Sequence, residues 1–188
     1  LIASAGLDGK INLWKRDGTL LKTFKESKAI YAIAFSPDGK VLASGGNNKI
    51  VTLRSLDGTV LKTLTGHRAH IVSIAFSPDR QIFGSFDGDG TIKLWRSNGR
   101  LLASLNADPG IGFDIAFSPD SKTFVSVGQN ATVKLWRKDG TLLANLMGHD
   151  GESRGVAYSP DGKIVASANT DGTVKLWRPE GMPFFTIL

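Results

Sequence analysis

His67 and His70 form an H-x-x-H pair, and residues 87–90 follow as the acidic, glycine-rich stretch DGDG. Such residues can hold metal, because imidazole suits zinc and carboxylates alternating around glycine open calcium loops. Each option fails on its next ligand. Two histidines without a third ligand make a weak zinc site. A calcium loop opening at Asp87 needs a glutamate at its twelfth position, where Asn98 stands. No Ser-His-Asp arrangement stands outside the wider pattern of the chain, and no phosphate-cradling glycine loop is present. Catalysis therefore has no candidate residue, the chain is not expected to be an enzyme, and neither metal nor cofactor is expected. Cysteine is absent, which excludes disulfides and thiolate sites and fits a reducing, cytoplasmic setting.

The elements that carry these residues recur along the chain. FSPD begins at Phe35, Phe76 and Phe117 and YSPD at Tyr158, in constant steps of 41 residues. Leu-Trp pairs begin at Leu13, Leu94, Leu135 and Leu176, with Leu53-Arg54 filling the gap. Ser4, Ser44, Ser85, Ser126 and Ser167 keep the same rhythm, and in these two series the first step is 40. The stretch from His67 to DGDG is thus one copy of a structural unit.

Each unit reads as four short strands. HIVSIAF (70–76) is apolar and β-branched, as a strand buried on both faces should be. SPDR then makes a turn, QIFGSF a second strand, DGDG a hairpin and TIKLW a third strand. RSNG turns the chain into RLLASL, the fourth. A sheet of this size cannot bury both faces alone, so the units must stack, and radial stacking gives an all-β propeller of four-stranded antiparallel blades. The expected division of 1–188 is a partial blade at 1–24 and blades at 25–64, 65–105, 106–146 and 147–188. The chain opens on LIAS, which is second-strand sequence, and closes on PFFTIL, a fourth strand. The first of about five blades should therefore lack its inner strand. An unpaired strand edge invites pairing, so the chain is expected to be a segment of a larger propeller or to self-associate into a homo-oligomer through that blade.

These repeats resemble the WD-repeat β-propeller family, whose unit has a similar length, and the FSPDGK and DGTVKLW wording looks like its bacterial, especially cyanobacterial, branch. The resemblance covers the whole chain. It implies a hydrogen-bonded tetrad in each blade: a histidine before the first strand, a serine on the second, an aspartate in the following turn and a tryptophan on the third. Two blades supply full sets, His67, Ser85, Asp89 and Trp95, and His149, Ser167, Asp171 and Trp177. The first has Ser4, Asp8 and Trp14 without a histidine, the second has Arg54 in place of tryptophan, and the fourth has Asp108 in place of histidine. Those three blades are expected to rely on packing alone and to open first. The aspartate after the tryptophan is replaced throughout by Lys15, Ser55, Arg96, Arg137 and Arg178.

The resemblance implies a rigid platform that binds a protein or peptide ligand. Residues shared by all copies build the frame, so loop residues that differ between copies are the candidates for contact with a partner. These are His70, Ile111 and Glu152, equivalent to Ala29; Asp114 and Arg154 just inside the inner strand; and Phe86, Gln129 and Thr170, with Asn47, around the second hairpin. The net charge of +6 offers an alternative, binding of nucleic acid or of an acidic partner. Its carriers are spread through the repeat: Lys15, Arg96, Arg137 and Arg178 form one arc, and Lys10, Lys93, Lys134 and Lys175 lie on third strands. No exposed aromatics interleave with that arc for base stacking, so it is read as solvated rim charge and nucleic acid is not expected. No run approaches the roughly 18 apolar residues of a membrane helix, so no membrane partner is expected either.

Overall fold

The computed structural model describes residues 1–179 and 183–187, and its nineteen described strands form five antiparallel meander sheets. The first sheet has three strands, β1 (Ile2–Ala5), β2 (Lys10–Trp14) and β3 (Leu20–Lys25). The second runs β4 (Ile30–Phe35), β5 (Val41–Gly46), β6 (Val51–Ser55) and β7 (Val60–Leu64). The third runs β8 (Ile71–Phe76), β9 (Ile82–Asp87), β10 (Thr91–Arg96) and β11 (Leu101–Asn106). The fourth is β12 (Gly112–Phe117), β13 (Thr123–Gly128), β14 (Thr132–Arg137) and β15 (Leu142–Met147). The fifth is β16 (Ser153–Tyr158), β17 (Val165–Asn169), β18 (Val174–Trp177) and β19 (Pro183–Ile187). This is the all-β, bladed architecture that the repeat requires, with about five blades and three strands in the first. The last residue of PFFTIL, Leu188, lies outside the described residues.

The sheets stack in chain order through the first strand of each, β1 on β4, β4 on β8, β8 on β12 and β12 on β16. Each core cluster is shared by two neighbouring sheets. Ala43, Val51 and Leu53 of the second sheet pack with Ile71, Ile74, Phe83 and Trp95 of the third. Val125, Val133 and Leu135 of the fourth pack with Val156, Val165 and Trp177 of the fifth. In the second, third and fourth sheets the second strands are accordingly deeply buried; every residue of β9 is inside. Gly112 shows how tightly the sheets approach, because a Cβ there would come within 2.3 Å of the Phe86 ring in the sheet before it. Among the described residues no comparable packing joins the fifth sheet to the first. Leu1, Ile2 and Leu7 of the first sheet are more than half exposed.

The SPD turns repeat one device. The serine hydroxyl donates to the aspartate two residues on, at 2.7 Å for Ser36 to Asp38, Ser77 to Asp79 and Ser118 to Asp120. The next residue takes positive φ: Gly39, Gly162, and with a side chain Arg80 (63°) and Ser121 (61°). Strand alternation puts these turns and the third-to-fourth-strand turns at one end of the sheets. The second hairpins and the approach to each inner strand lie at the other.

Candidate partner-binding rim

At the hairpin end, the buried polar groups settle how each blade is pinned. A carboxylate only accepts, so His67 Nδ1 donates to Asp87 Oδ2 at 2.6 Å. The other ring nitrogen, Nε2, meets Ser85 Oγ at 2.7 Å, and Trp95 Nε1 donates to the same oxygen at 2.8 Å. The aspartate facing His67 is therefore Asp87 and not Asp89. The reason is positional: Asp87 is the last residue of β9 and points into the core, while Asp89 stands exposed in the turn. Asp87 Oδ1 also takes the backbone N–H of Asp89 and, at 2.9 Å, of Thr91. Burial pushes its carboxyl up, but the hydrogen bonds from His67 and Thr91 outweigh burial and hold it below its usual value.

In the fifth sheet Trp177 Nε1 donates to Ser167 at 2.8 Å and His149 Nε2 meets the same hydroxyl at 2.7 Å. His149 Nδ1 reaches Asp171 at a looser 3.3 Å, and that carboxylate is 15% exposed, against 1% for Asp87. Burial lowers the His149 pKa, and the Asp171 carboxylate only partly offsets this. The first and fourth sheets keep the Trp–Ser bond alone, Trp14 to Ser4 and Trp136 to Ser126, both at 2.9 Å. Asp108, in the histidine place of the fourth, is buried and accepts from the backbone N–H of Gly110 and Asn130.

The second sheet corrects the expectation that it relies on packing alone. Glu26 occupies the place of His67, 41 residues earlier, and Arg54 the place of Trp95. The two form an ion pair with side chains only 13% and 7% exposed, and Ser44 Oγ donates to the same Glu26 oxygen. The Arg54 guanidinium also lies 5.4 Å from the centre of the Phe24 ring. A histidine–tryptophan pair has been exchanged for a glutamate–arginine pair around an unchanged serine. The register of the repeat held this signal, but only for a reader looking at position 26 as well as position 54.

Outside this frame, the candidate contact residues fall in pairs. The backbone N–H of Gln129 donates to the Ile111 carbonyl at 2.8 Å, and Thr170 N–H to that of Glu152 at 2.9 Å. Return bonds come from Ile111 N–H to Gln129 Oε1 and from Glu152 N–H to Thr170 Oγ1. His70 lies across Gly88, where a Cβ would collide with the imidazole at 2.4 Å, and it meets the Tyr31 ring edge-on at 5.5 Å. Arg154 stacks over Phe113 at 4.1 Å and pairs with Glu152. Two candidates are not on this surface. Phe86 is wholly buried against the next sheet, so it packs the frame and offers nothing to a partner. Asp114 is turned inward, accepting from Ser73 Oγ at 2.9 Å and from Val156 N–H at 3.1 Å, so it ties β8, β12 and β16 together. Burial raises its carboxyl pKa despite these bonds.

Sequence pattern missed what aims this surface. Every complete inner strand has an extra residue at the same place, where the register slips between Ile30 and Ala32, Ile71 and Ser73, Gly112 and Asp114, and Ser153 and Gly155. The bulged residues are Tyr31, Val72, Phe113 and Arg154. A bulge takes a residue out of the ladder and re-aims its side chain. A bulge has no residue signature of its own, though the 41-residue register brings these four unlike side chains into one column.

At the other end, Arg96 and Arg137 share their face with the turn aspartates. Lys138 bonds Asp79 and Gln81, and Arg80 faces Asp38 at 3.8 Å. The positive arc is thus interleaved with carboxylates. Among the described residues no cluster of three or more His, Asp or Glu is placed to hold a metal, and no helix is long and apolar enough to cross a membrane.

The family model described as "WD domain, G-beta repeat" matches residues 18–53, 58–96, 98–137 and 140–178, most of the chain. The chain belongs to the WD40 repeat family. Each WD40 match begins just before the outer strand of one sheet and ends in, or one residue past, the third strand of the next, so every sequence repeat clamps two neighbouring blades. The chain is similar to a subunit of chromatin assembly factor 1 from Gallus gallus, at 32% identity over 35% of this chain and 17% of that protein. The same protein of Mus musculus matches at 30% over the same shares. Nuclear distribution protein PAC1-1 of Uncinocarpus reesii matches at 33%, over 38% of this chain and 17% of its own length. The matched part of this chain spans only about a sixth of the length of these relatives.

Proposed function

We propose that this WD40 chain is a non-catalytic scaffold that binds an extended protein segment across the hairpin-end rim. The observation that carries this reading is the column of bulges. On a frame held constant by repeated turns and buried Ser–Trp bonds, the same backbone defect presents Tyr31, Phe113 and Arg154, while in the third sheet it turns Val72 onto the core. Around them stand His70, Ile111, Gln129, Glu152, Thr170 and the Phe113–Arg154 stack, a mixture of aromatic, apolar and charged groups of the kind that anchors protein interfaces. The test is affinity capture from lysate with wild type and with Tyr31→Ser plus Phe113→Ser. Loss of the same captured protein from the double variant supports the reading, and an unchanged set of captured proteins refutes it.

In the same reading the chain works as part of a larger assembly, a bacterial cytoplasmic protein by the wording and cysteine-free composition of its repeats. The three-stranded first sheet, with Leu1, Ile2 and Leu7 exposed, is completed there by further chain or by a second copy. Light scattering after size exclusion tests the second copy: a mass of twice 20.1 kDa that survives high salt supports self-completion, and a monomer excludes it.

A further inference from the structure

We infer a second docking site, separate from the rim, in the groove between the second and third sheets at the SPD-turn end, for an extended partner segment that presents a bulky apolar side chain beside an acidic one. The groove has a volume of about 410 Å³, within the roughly 300–1,000 Å³ of ordinary ligand sites. Its floor is apolar: buried Leu53, half-buried Val41 and Phe76, and Leu61, which is 49% exposed.

Two repeat positions that differ between copies shape the groove and leave its floor open. Its outer wall ends at Ser97, whose equivalents are Arg16, Leu56, Lys138 and Pro179. Leu56 packs onto the core between the first and second sheets. Lys138 lies along the junction of the third and fourth and bonds Asp79 and Gln81 of the preceding sheet. There the buried Ser121 also binds the Asp79 backbone, and the corresponding cleft, of similar volume, reaches Ile82 and Leu102 but not Leu94 and Phe117, and is lined instead by Arg96, Arg137, Lys138 and Asp139. At the second junction the two equivalents are Ser97, too short to cross, and Arg80, whose side chain is 64% exposed. The apolar floor is left uncovered.

Charge and backbone point to the occupant. Lys62 and Arg80 stand at the rim against the single carboxylate of Asp38, which Arg80 meets only at 3.8 Å, so one positive charge remains for a partner's acid. Leu61 and Lys62 belong to β7, the outermost strand of its sheet, whose free edge runs beside the groove and suits an extended chain.

The probe is a fluorescein-labelled peptide, Gly-Glu-Leu-Leu-Asp-Gly, followed by anisotropy, with a control in which both acids are lysine. The acidic peptide should bind saturably, and the lysine control about tenfold or more weaker. Ser97→Lys, which copies Lys138 onto an exposed turn, should weaken binding by at least about tenfold, as filling an anchor pocket does. Lys62→Glu should do the same, whereas Tyr31→Ser on the rim should leave binding unchanged. No saturable binding up to about 1 mM, equal binding of the lysine peptide, or indifference to both Ser97→Lys and Lys62→Glu overturns the proposal. The rim reading is untouched by any of these, because its own test uses Tyr31 and Phe113.

Discussion

Replacing Asp87 with alanine removes a carboxylate whose side chain is 1% exposed and whose oxygens take three N–H groups, those of His67, Asp89 and Thr91. The two backbone donors lie near the turn and can recover water. His67 Nδ1 cannot, since its side chain has no exposed surface. A hydrogen bond to a charged group contributes about 1.5–3 kcal/mol, and stranding a buried polar partner adds a similar cost, so Asp87→Ala should destabilise by about 3–5 kcal/mol. For a chain of 188 residues that lowers Tm by roughly 6–20 °C. Asp89, two residues on and exposed, serves as the comparison: Asp89→Ala should stay within about 0.5 kcal/mol of wild type. Both variants are read by guanidinium unfolding at neutral pH, followed by tryptophan fluorescence, since Trp95 is bonded into the same network. An Asp89→Ala cost equal to that of Asp87→Ala would refute the assignment of Asp87 as the partner of His67. Acid supplies an independent check. The Asp87 carboxyl titrates lower in the fold than its unfolded value of 3.8, so its contribution is complete above that value and is lost as pH falls through the folded one. Asp87→Ala should therefore flatten the acid limb of the stability curve.

The buried Glu26–Arg54 pair should behave as a unit: Glu26→Ala alone costs about 3–5 kcal/mol, and a double-mutant cycle with Arg54→Ala gives a coupling of at least about 1 kcal/mol. Strictly additive losses in urea melts would dissolve the pair. His149 titrates below its unfolded 6.5, so the unfolded chain takes up a proton first and stability falls as pH drops below that value. Comparing unfolding at pH 7.5 and 5.5, His149→Gln should show a shallower loss than wild type, and an equal slope would count against the assignment. A mixed-sequence DNA duplex should show no steeply salt-dependent binding, because carboxylates such as Asp79 and Asp38 interleave the basic arc. A steep slope that Arg96→Glu plus Arg137→Glu abolishes would show instead that the arc binds nucleic acid.

The step of 41 residues was enough to read the architecture, because a sheet that cannot bury itself must repeat and stack. Details that depend on which way a side chain points were less accessible. DGDG offers two aspartates to His67, and only the end of β9 decides that Asp87 points inward. Phe86 varies between copies as a contact residue would, yet it fills the space left by Gly112 across the blade junction. Glu26 and Arg54 are each departures from the repeat, and compensation shows only when they are placed together. The bulges at Tyr31, Val72, Phe113 and Arg154 are events of the backbone, with no residue type that announces them.

Those bulges have a consequence for how such a protein can change. A residue that has left the ladder and faces solvent, as Tyr31 and Arg154 do, no longer serves the sheet, so its identity is released from the demands that hold its neighbours fixed. Tyr31, Phe113 and Arg154, in the second, fourth and fifth sheets, make a short word whose letters can be respelled one at a time. New specificity can then be reached by single substitutions without passing through an unfolded intermediate sequence, and a library randomised at these three positions alone should stay soluble while its binding preferences diverge.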